Sequence, residues 1–258
     1  MNPRPRLSCL VVAHDEEARL PNCLASLAFA DEVVVVLDRC TDGSKAIAEG
    51  AGARIIEGAW EVEGDRRNAG FAACTGDWIL EVDADERVPE ALADEIRETV
   101  LSSSADYHLV PVDNYVGTRL VRYGWGASFG RSAHPALSRK GVKNWGRQRV
   151  HPSLTFTPGA RAGAWLEVPL VHYGFSSIAD LISRLNGYSD RRAADLRESG
   201  ELGAALPNYR RIVSRFWRCF VTRKGYKEGG IGFLIAVCGA LYPLLSHLKA
   251  KYDLSEDA

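Results

Sequence analysis

The run "EVVVVLD", residues 32 to 38, sets four valines and a leucine in a row between charged residues. Such a run has no polar position to turn toward water. It suits a strand covered on both faces, the situation of parallel sheets whose crossover connections carry helices. The flanking segments repeat the theme. "LSCLVVA" (7 to 13) is a second apolar run, and "EEARLPNCLASL" after it spaces Leu20, Leu24 and Leu27 as a helix does. "TDGSKAIAEGAG" opens on N-cap residues and closes on glycine. "ARIIE" (53 to 57), "EGDRRNAGFAACTG" (63 to 76), "DWILEVD" (77 to 83) and "PEALADEIRETVL" (89 to 101) extend the alternation. It predicts an α/β fold with a mostly parallel central sheet flanked by helices.

From about residue 105 the pattern changes. "DYHLVPVDNYVG", "HPALSRKGVKNW", "RVHPSLTF" and "AWLEVPLVHYGF" read as strands, with the glycine-rich "YGWGASFGRSAHP" as a loop among them. Helices return at "SSIADLISRLNGYSDRRAADLRES", where Ile178, Leu181, Ile182 and Leu185 form an apolar stripe. The expected organisation is one domain over 1–175, made of halves 1–104 and 105–175, and a helical extension over 176–258.

Composition narrows the function classes. The 258 residues are 46% hydrophobic and 25% charged, ample for a sizeable core. Thirty-two basic residues against 33 acidic give no excess of positive charge over the whole chain, which argues against a nucleic-acid partner. The six cysteines show no CxxC pair and no zinc-like spacing, so buried reduced thiols are expected. The amino-terminal "MNPRPRLSCLVVAHDEE" lacks the apolar core of a signal peptide, which leads us to expect a cytoplasmic protein.

Ligands of open α/β sheets bind beyond the carboxyl ends of the strands. Three strand ends here carry acids: Asp15 to Glu17, Asp38, and Asp83 with Asp85. Neither G-x-G-x-x-G after the first strand nor G-x-x-x-x-G-K-[ST] occurs, so the dinucleotide and P-loop readings lose their signatures. Asp83 and Asp85, one residue apart in "EVDADE", are hard oxygen ligands suited to Mg²⁺ or Mn²⁺. Acids ahead of "VPEALADEI" equally suit the positive end of a helix dipole, and Asp42 in "CTDGS" suits an N-cap.

Four blocks in order, "LSCLVVAHDEEARLPNCLASL", "DEVVVVLDRCTDGS", "GDRRNAGFAACTGDWILEVDADE" and "VHYGFSSIADLISRLNGYSDRRA", resemble family 2 glycosyltransferases of the GT-A fold, within them the bacterial lipopolysaccharide core β-1,4-glucosyltransferase type. The resemblance implies a GT-A nucleotide-diphospho-sugar transferase fold and inverting transfer of a sugar, UDP-glucose being the best guess for the donor, to a lipid-linked saccharide. It implies a nucleotide seat at Ala13, His14, Glu16 and Glu17 and base contact by Asp38. Arg66 and Asn68 match the basic and polar pair near base and diphosphate, Asp83 the residue near ribose and metal, and Asp85 the ligand of Mn²⁺ or Mg²⁺. Sugar-phosphate nucleotidyltransferases and a non-catalytic membrane-surface binding protein are the alternatives, although the former usually bring a glycine-rich phosphate loop that "VVAHDEEARL" lacks.

An inverting transfer needs one general base to take the acceptor's proton. Asp113, His134, His151 and Glu167 are the candidates, with Ser132 and His134 standing in the glycine-rich loop; for His151 and His172 a purely structural, hydrogen-bonded role is the competing reading. Toward the carboxyl terminus, "NYRRIVSRFWRCFVTRKGYK" interleaves seven cations with apolar residues and carries no acid, as a helix lying on an anionic membrane surface would. The apolar stretch "IGFLIAVCGALYPLL" that follows has fifteen residues, against ~20 for a helix that spans a bilayer. A peripheral position on the cytoplasmic face of the inner membrane is therefore expected, the competing reading being that these helices belong to the soluble core.

Overall fold

The computed structural model describes residues 4–125, 131–148, 152–200, 202 and 205–253. In chain order its elements are β1 (Leu7–Ala13), α1 (Leu20–Ala25), β2 (Glu32–Asp38), α2 (Ser44–Gly50), β3 (Arg54–Gly58), α3 (Glu63–Ala73), β4 (Trp78–Asp83), β5 (Glu86–Arg87) and α4 (Glu90–Ser102). Then follow β6 (Tyr107–Val116), β7 (Arg119–Val121), β8 (Ala133–Arg139), β9 (Lys143–Trp145), β10 (Leu154–Phe156), β11 (Leu170–Phe175), α5 (Ile178–Glu198), α6 (Ala205–Trp217), a π-helical turn (Arg218–Thr222), a 3-10 turn (Gly225–Glu228) and α7 (Gly229–Tyr252). Two compact units divide the chain: Met1–Val112, Ala133–Gln148 and Pro152–His172 form the first, while Asp113–Ser132 and Tyr173–Ala258 fall in the second.

In the first unit β1 lies parallel between β2 and β4, and β3 adds parallel to β2. Beyond β4 the direction reverses, since β8 pairs antiparallel with β4 and β6 antiparallel with β8. The sheet is therefore mixed, with β3, β2, β1 and β4 parallel and β8 running against them. Burial follows from this. All seven residues of β1 are buried, whereas β6 alternates half-buried and buried positions along its whole length. A strand between two helical layers has no wet face, and a strand with one covered face must alternate.

Alternate residues of the parallel strands feed two cores. Leu7, Cys9, Val11, Val35, Leu37, Leu80 and Val82 pack with Leu20, Leu24, Leu92 and Ile96 of α1 and α4. Leu10, Val12, Val34, Val36 and Ile79 pack on the other side with Phe71 and Cys74, at the end of α3. α3 comes unusually close to the sheet at Gly70, where a Cβ would stand 2.4 Å from a Leu10 methyl and 2.8 Å from one of Val36. At Gly64 a Cβ would collide with the Gly146 carbonyl oxygen, 1.8 Å away. Two glycines thus fix the depth and pitch of the helix that carries Arg66, Arg67 and Asn68.

The second unit has its own core, with Val116, Val121, Trp125, Phe175, Leu181, Leu185, Ile235, Cys238 and Tyr242 buried together. Two sequence expectations change here. The basic segment 208–227 is not one helix: α6 ends at Trp217, the π-helical turn follows, and Lys224 adopts a left-handed φ of 58°. The apolar stretch is not limited to fifteen residues, because α7 runs for 24 and is long and apolar enough to cross a membrane by length and composition. Half of its most apolar window is nonetheless buried inside the protein. All six cysteines are free, five of them buried. Burial pushes the thiols of Cys23 and Cys74 up to about 12.

Candidate active site

The carboxyl ends of β1 and β2 are tied together by side chains that cap backbone. Asp15, at a left-handed φ of 53°, accepts from the Thr41 N–H at 2.7 Å. The Glu17 N–H donates to Asp42 at 2.8 Å, and the Glu17 carboxylate accepts from the Gly43 N–H at 2.7 Å. The Glu16 N–H donates to the Ser44 hydroxyl at 3.0 Å. Asp42 also accepts from the Ser44 N–H at 3.0 Å, an Asx-type turn one residue ahead of the N-cap, which is Gly43 and not the Asp42 that sequence suggests. Asp15, Cys40 and Asp42 bring ligand atoms within 4.8 Å of one another, but both carboxylates already serve the backbone. These acids build the loop floor beside the buried Ala13.

Asp38 ends β2 and is 2% exposed. It accepts from the Trp60 N–H at 3.1 Å, from Arg39 at 3.1 Å and from Arg66 at 3.3 Å. Burial alone would raise its pKa, and these donors bring it below the usual carboxylate value. The His14 ring lies 2.6 Å by Nδ1 from the Asp38 carbonyl oxygen; a carbonyl only accepts, so Nδ1 carries the proton. Arg66 Nε is buried with no hydrogen-bond partner among the described residues. A guanidinium held by one corner and unsatisfied at another is prepared to meet an incoming acceptor.

Sequence reasoning named Arg66 and Asn68 and passed over the residue between them. Arg67 is the hub of the site. Its guanidinium donates to Glu81 at 2.6 Å, to Asp83 at 2.9 Å and to Glu63 at 2.8 Å. Glu81 also accepts from Lys143, which in turn donates to the Pro135 carbonyl at 2.8 Å. Burial opposes ionisation of Glu81, but Lys143 and Arg67 outweigh it and lower its pKa. The strand position that sequence sets aside is thus a buried anion serving as a foundation. Asn68 changes role as well: its amide donates to the Trp145 carbonyl at 2.8 Å and accepts from the Trp145 N–H at 2.9 Å, so both ends of the side chain hold β9.

Past β4 the two aspartates diverge. Asp83 turns to Arg67, and its backbone N–H donates to the buried Glu86 at 2.9 Å. Asp85 Oδ2 lies 3.6 Å from His172 Nε2. The fold supplies that neighbour through β5, which pairs antiparallel with β11 so that Glu86 stands opposite His172. His172, for which sequence weighs a structural role, is thereby placed beside Asp85. One carboxylate and one imidazole form a donor set that Mn²⁺ or Mg²⁺ accepts, so these residues fit a divalent cation.

The base candidates are dispersed. His134 is buried with Nε2 3.9 Å from Glu86. Asp113 opens the segment assigned to the second unit and lies 3.9 Å from Arg122. Glu167 is exposed on a loop whose N–H donates to Glu95 at 2.7 Å. His151 lies outside the described residues.

Residues 8–135 match the family model described as Glycosyl transferase family 2. The chain carries a family 2 glycosyltransferase domain. It is an enzyme, a glycosyltransferase, and its mixed sheet with flanking helices and a carboxyl-terminal helix is the GT-A class expected from sequence. An "Uncharacterized glycosyltransferase" of Rickettsia felis is 28% identical over 265 residues, covering 96% of this chain and 90% of its own length. The "Lipopolysaccharide core biosynthesis glycosyltransferase LpsC" of Rhizobium meliloti is 26% identical over 266 residues, covering 96% and 93%. Among solved structures, S. aureus TarS 1-349 is 15% identical with a TM-score of 0.48, over 72% of this chain and 65% of that one. Glucosyl-3-phosphoglycerate synthase from Mycobacterium tuberculosis, in complex with Mn²⁺, UDP and glucosyl-3-phosphoglycerate, is 22% identical with a TM-score of 0.37, over 43% and 44%. A glycosyltransferase domain sets aside the non-catalytic reading, and family 2 sets aside the nucleotidyltransferase.

Proposed function

We propose that this glycosyltransferase moves a sugar, with inversion and with the help of Mn²⁺ or Mg²⁺, from a nucleotide-diphosphate donor to a lipid-linked saccharide of the lipopolysaccharide core type. The observation that carries the metal part is the 3.6 Å approach of Asp85 to His172 just past the end of β4. When bound there, a divalent cation supplies charge neutralisation for a diphosphate leaving group. Asp38 and Arg66 would receive the base and neighbouring oxygens, with the unsatisfied Arg66 Nε as the donor that ligand binding completes. Asp83, oriented by Arg67, would face the ribose. The likeness to LpsC over nearly the whole chain supports the acceptor class, and UDP-glucose is the donor to test first.

The test is donor hydrolysis by the full chain with UDP-glucose and Mn²⁺, repeated with EDTA. The expected result is turnover that disappears with EDTA and returns with excess Mn²⁺. Turnover indifferent to EDTA would contradict the metal part of the reading, and hydrolysis of other nucleotide sugars but not UDP-glucose would correct the donor.

A further inference from the structure

The second unit has a sheet face turned away from its helical core. Along the end of β6, Asp113 and Tyr115 fall on one face and the buried Asn114 and Val116 on the other. Val116 packs into the core with Val121, Phe175 and Leu181, so Asp113 and Tyr115 point the opposite way. β7 runs antiparallel beside them, with Val121 opposite Asn114 and Leu120 opposite Tyr115. Arg122, one residue further on, comes level with Asp113, and their side chains approach to 3.9 Å. Tyr173 on β11 adds a second ring, its centroid 5.2 Å from that of Tyr115 and the two planes inclined by 35°. Tyr173 is 43% exposed and the Arg122 side chain 64%, so a ligand can reach both.

The backbone that carries Arg122 is fixed from behind. The buried Glu228 carboxylate accepts from the N–H groups of Arg122 and Tyr123, at 2.8 and 3.1 Å, and lies 3.6 Å from Arg119. The Gly124 N–H donates to the Arg223 carbonyl at 3.0 Å. Trp125 donates through Nε1 to the Val121 carbonyl at 2.6 Å and stacks on Phe175, ring centroids 5.8 Å apart and planes within 1°. An exposed side chain on a braced backbone is suited to binding, because little ordering remains to oppose it.

Chemistry selects the occupant. The faces of two aromatic rings are apolar and carry the negative part of the ring quadrupole, which favours contact with the C–H face of a pyranose. The edge of the same sugar is a row of hydroxyls, for which a carboxylate accepts and a guanidinium donates. Asp113 and Arg122 together carry no net charge, so the pair suits a neutral polyol better than a phosphate. We propose that Tyr115 and Tyr173, bordered by Asp113 and Arg122, form a subsite for the acceptor saccharide, one pyranose stacking on Tyr173 with its hydroxyls on Asp113 and Arg122. The inference rests on the acceptor class proposed above and names the side chains that receive it.

Isothermal titration of deacylated, core-truncated lipopolysaccharide into the full chain, alone and with UDP and Mn²⁺ present, tests the proposal. The parent is expected to bind this oligosaccharide. Tyr115→Ala and Tyr173→Ala should each bind it roughly tenfold more weakly, and Tyr173→Phe, which keeps the ring, like the parent. Arg122→Gln should also cost about tenfold, through loss of a charged donor. Equal affinity in the parent and the alanine variants, or a loss in Tyr173→Phe as large as in Tyr173→Ala, would overturn the stacking subsite and leave the acceptor class standing. An unchanged affinity in Arg122→Gln would overturn the polar half of the subsite. A parent that neither binds nor glycosylates the oligosaccharide would overturn the acceptor class and the subsite with it. Tyr173→Ala should keep the parent's thermal midpoint and its affinity for UDP-glucose with Mn²⁺, and a parallel loss of donor affinity would overturn the assignment to the acceptor. So would a dimer of the parent that Tyr173→Ala dissolves, which would make a second copy the occupant. The metal reading is judged separately, on donor hydrolysis by the parent with and without EDTA.

Discussion

At the residue scale the site rests on charges that are buried and counterbalanced. Glu81 is 1% exposed and survives as an anion because Arg67 and Lys143 flank it. Removing one partner of such a cluster leaves an uncompensated buried charge. Arg67→Met should therefore cost about 3–5 kcal/mol, measured by chemical denaturation; a loss under about 1 kcal/mol would mean that Lys143 alone suffices. The acids themselves, Asp38, Asp83 and Asp85, were legible in the sequence because they follow apolar runs. Arg67 was not, since its partners Glu81 and Asp83 stand on β4, 14 and 16 residues along the chain, and no local pattern ties them to α3. His172 was visible as a histidine near a strand end, yet its approach to Asp85 depends on the β5 to β11 pairing, which no spacing announces.

A second residue-scale prediction concerns acid. Asp31 accepts from Arg97 at 2.9 Å and from the Leu7 N–H at 2.8 Å, and the Arg97 hydrogen bond leads in lowering its pKa to about 2. A carboxylate lowered in the folded state adds stability above its unfolded value near 4, and that contribution fades as pH falls toward about 2. Arg97→Gln should raise the midpoint of acid unfolding, followed by circular dichroism across pH 2 to 5. An unchanged midpoint would show that Leu7 and Arg4 hold Asp31 unaided.

At the scale of elements, α3 determines where the cationic side of the site stands, and Gly70 determines where α3 stands. A valine there would meet Leu10 and Val36 in a packed layer, and overpacking of that kind costs about 1–3 kcal/mol. Gly70→Val is accordingly expected to lower thermal stability and also weaken donor binding, because Arg66 and Arg67 move with the helix. A stability loss with donor binding intact would separate the helix from the site. Periodicity located nearly every helix and strand of the first hundred residues, since two-sided burial writes itself into composition. It failed between 208 and 227, where continuous amphipathic spacing hid the end of α6. A π-helical turn and a left-handed Lys224 leave the apolar rhythm almost undisturbed.

At the scale of the whole molecule, apolar patterning foretold an α/β unit followed by helices. It did not foretell that Asp113–Ser132 would group with the helical unit, because the alternating pattern of β6 runs unbroken through Asp113. The sheet is parallel where ligand-bearing strand ends are needed and antiparallel beyond β4, and the two arrangements meet where Asp83 and Asp85 leave the strand. The central claim is that Asp85, with His172, holds the cation through which the donor diphosphate binds. Isothermal titration of UDP-glucose into the full chain, with and without Mn²⁺, tests it on the parent and on Asp85→Asn. The account predicts Mn²⁺-dependent binding to the parent that falls at least tenfold in Asp85→Asn. Equal Mn²⁺-dependent affinity in the two proteins would contradict it.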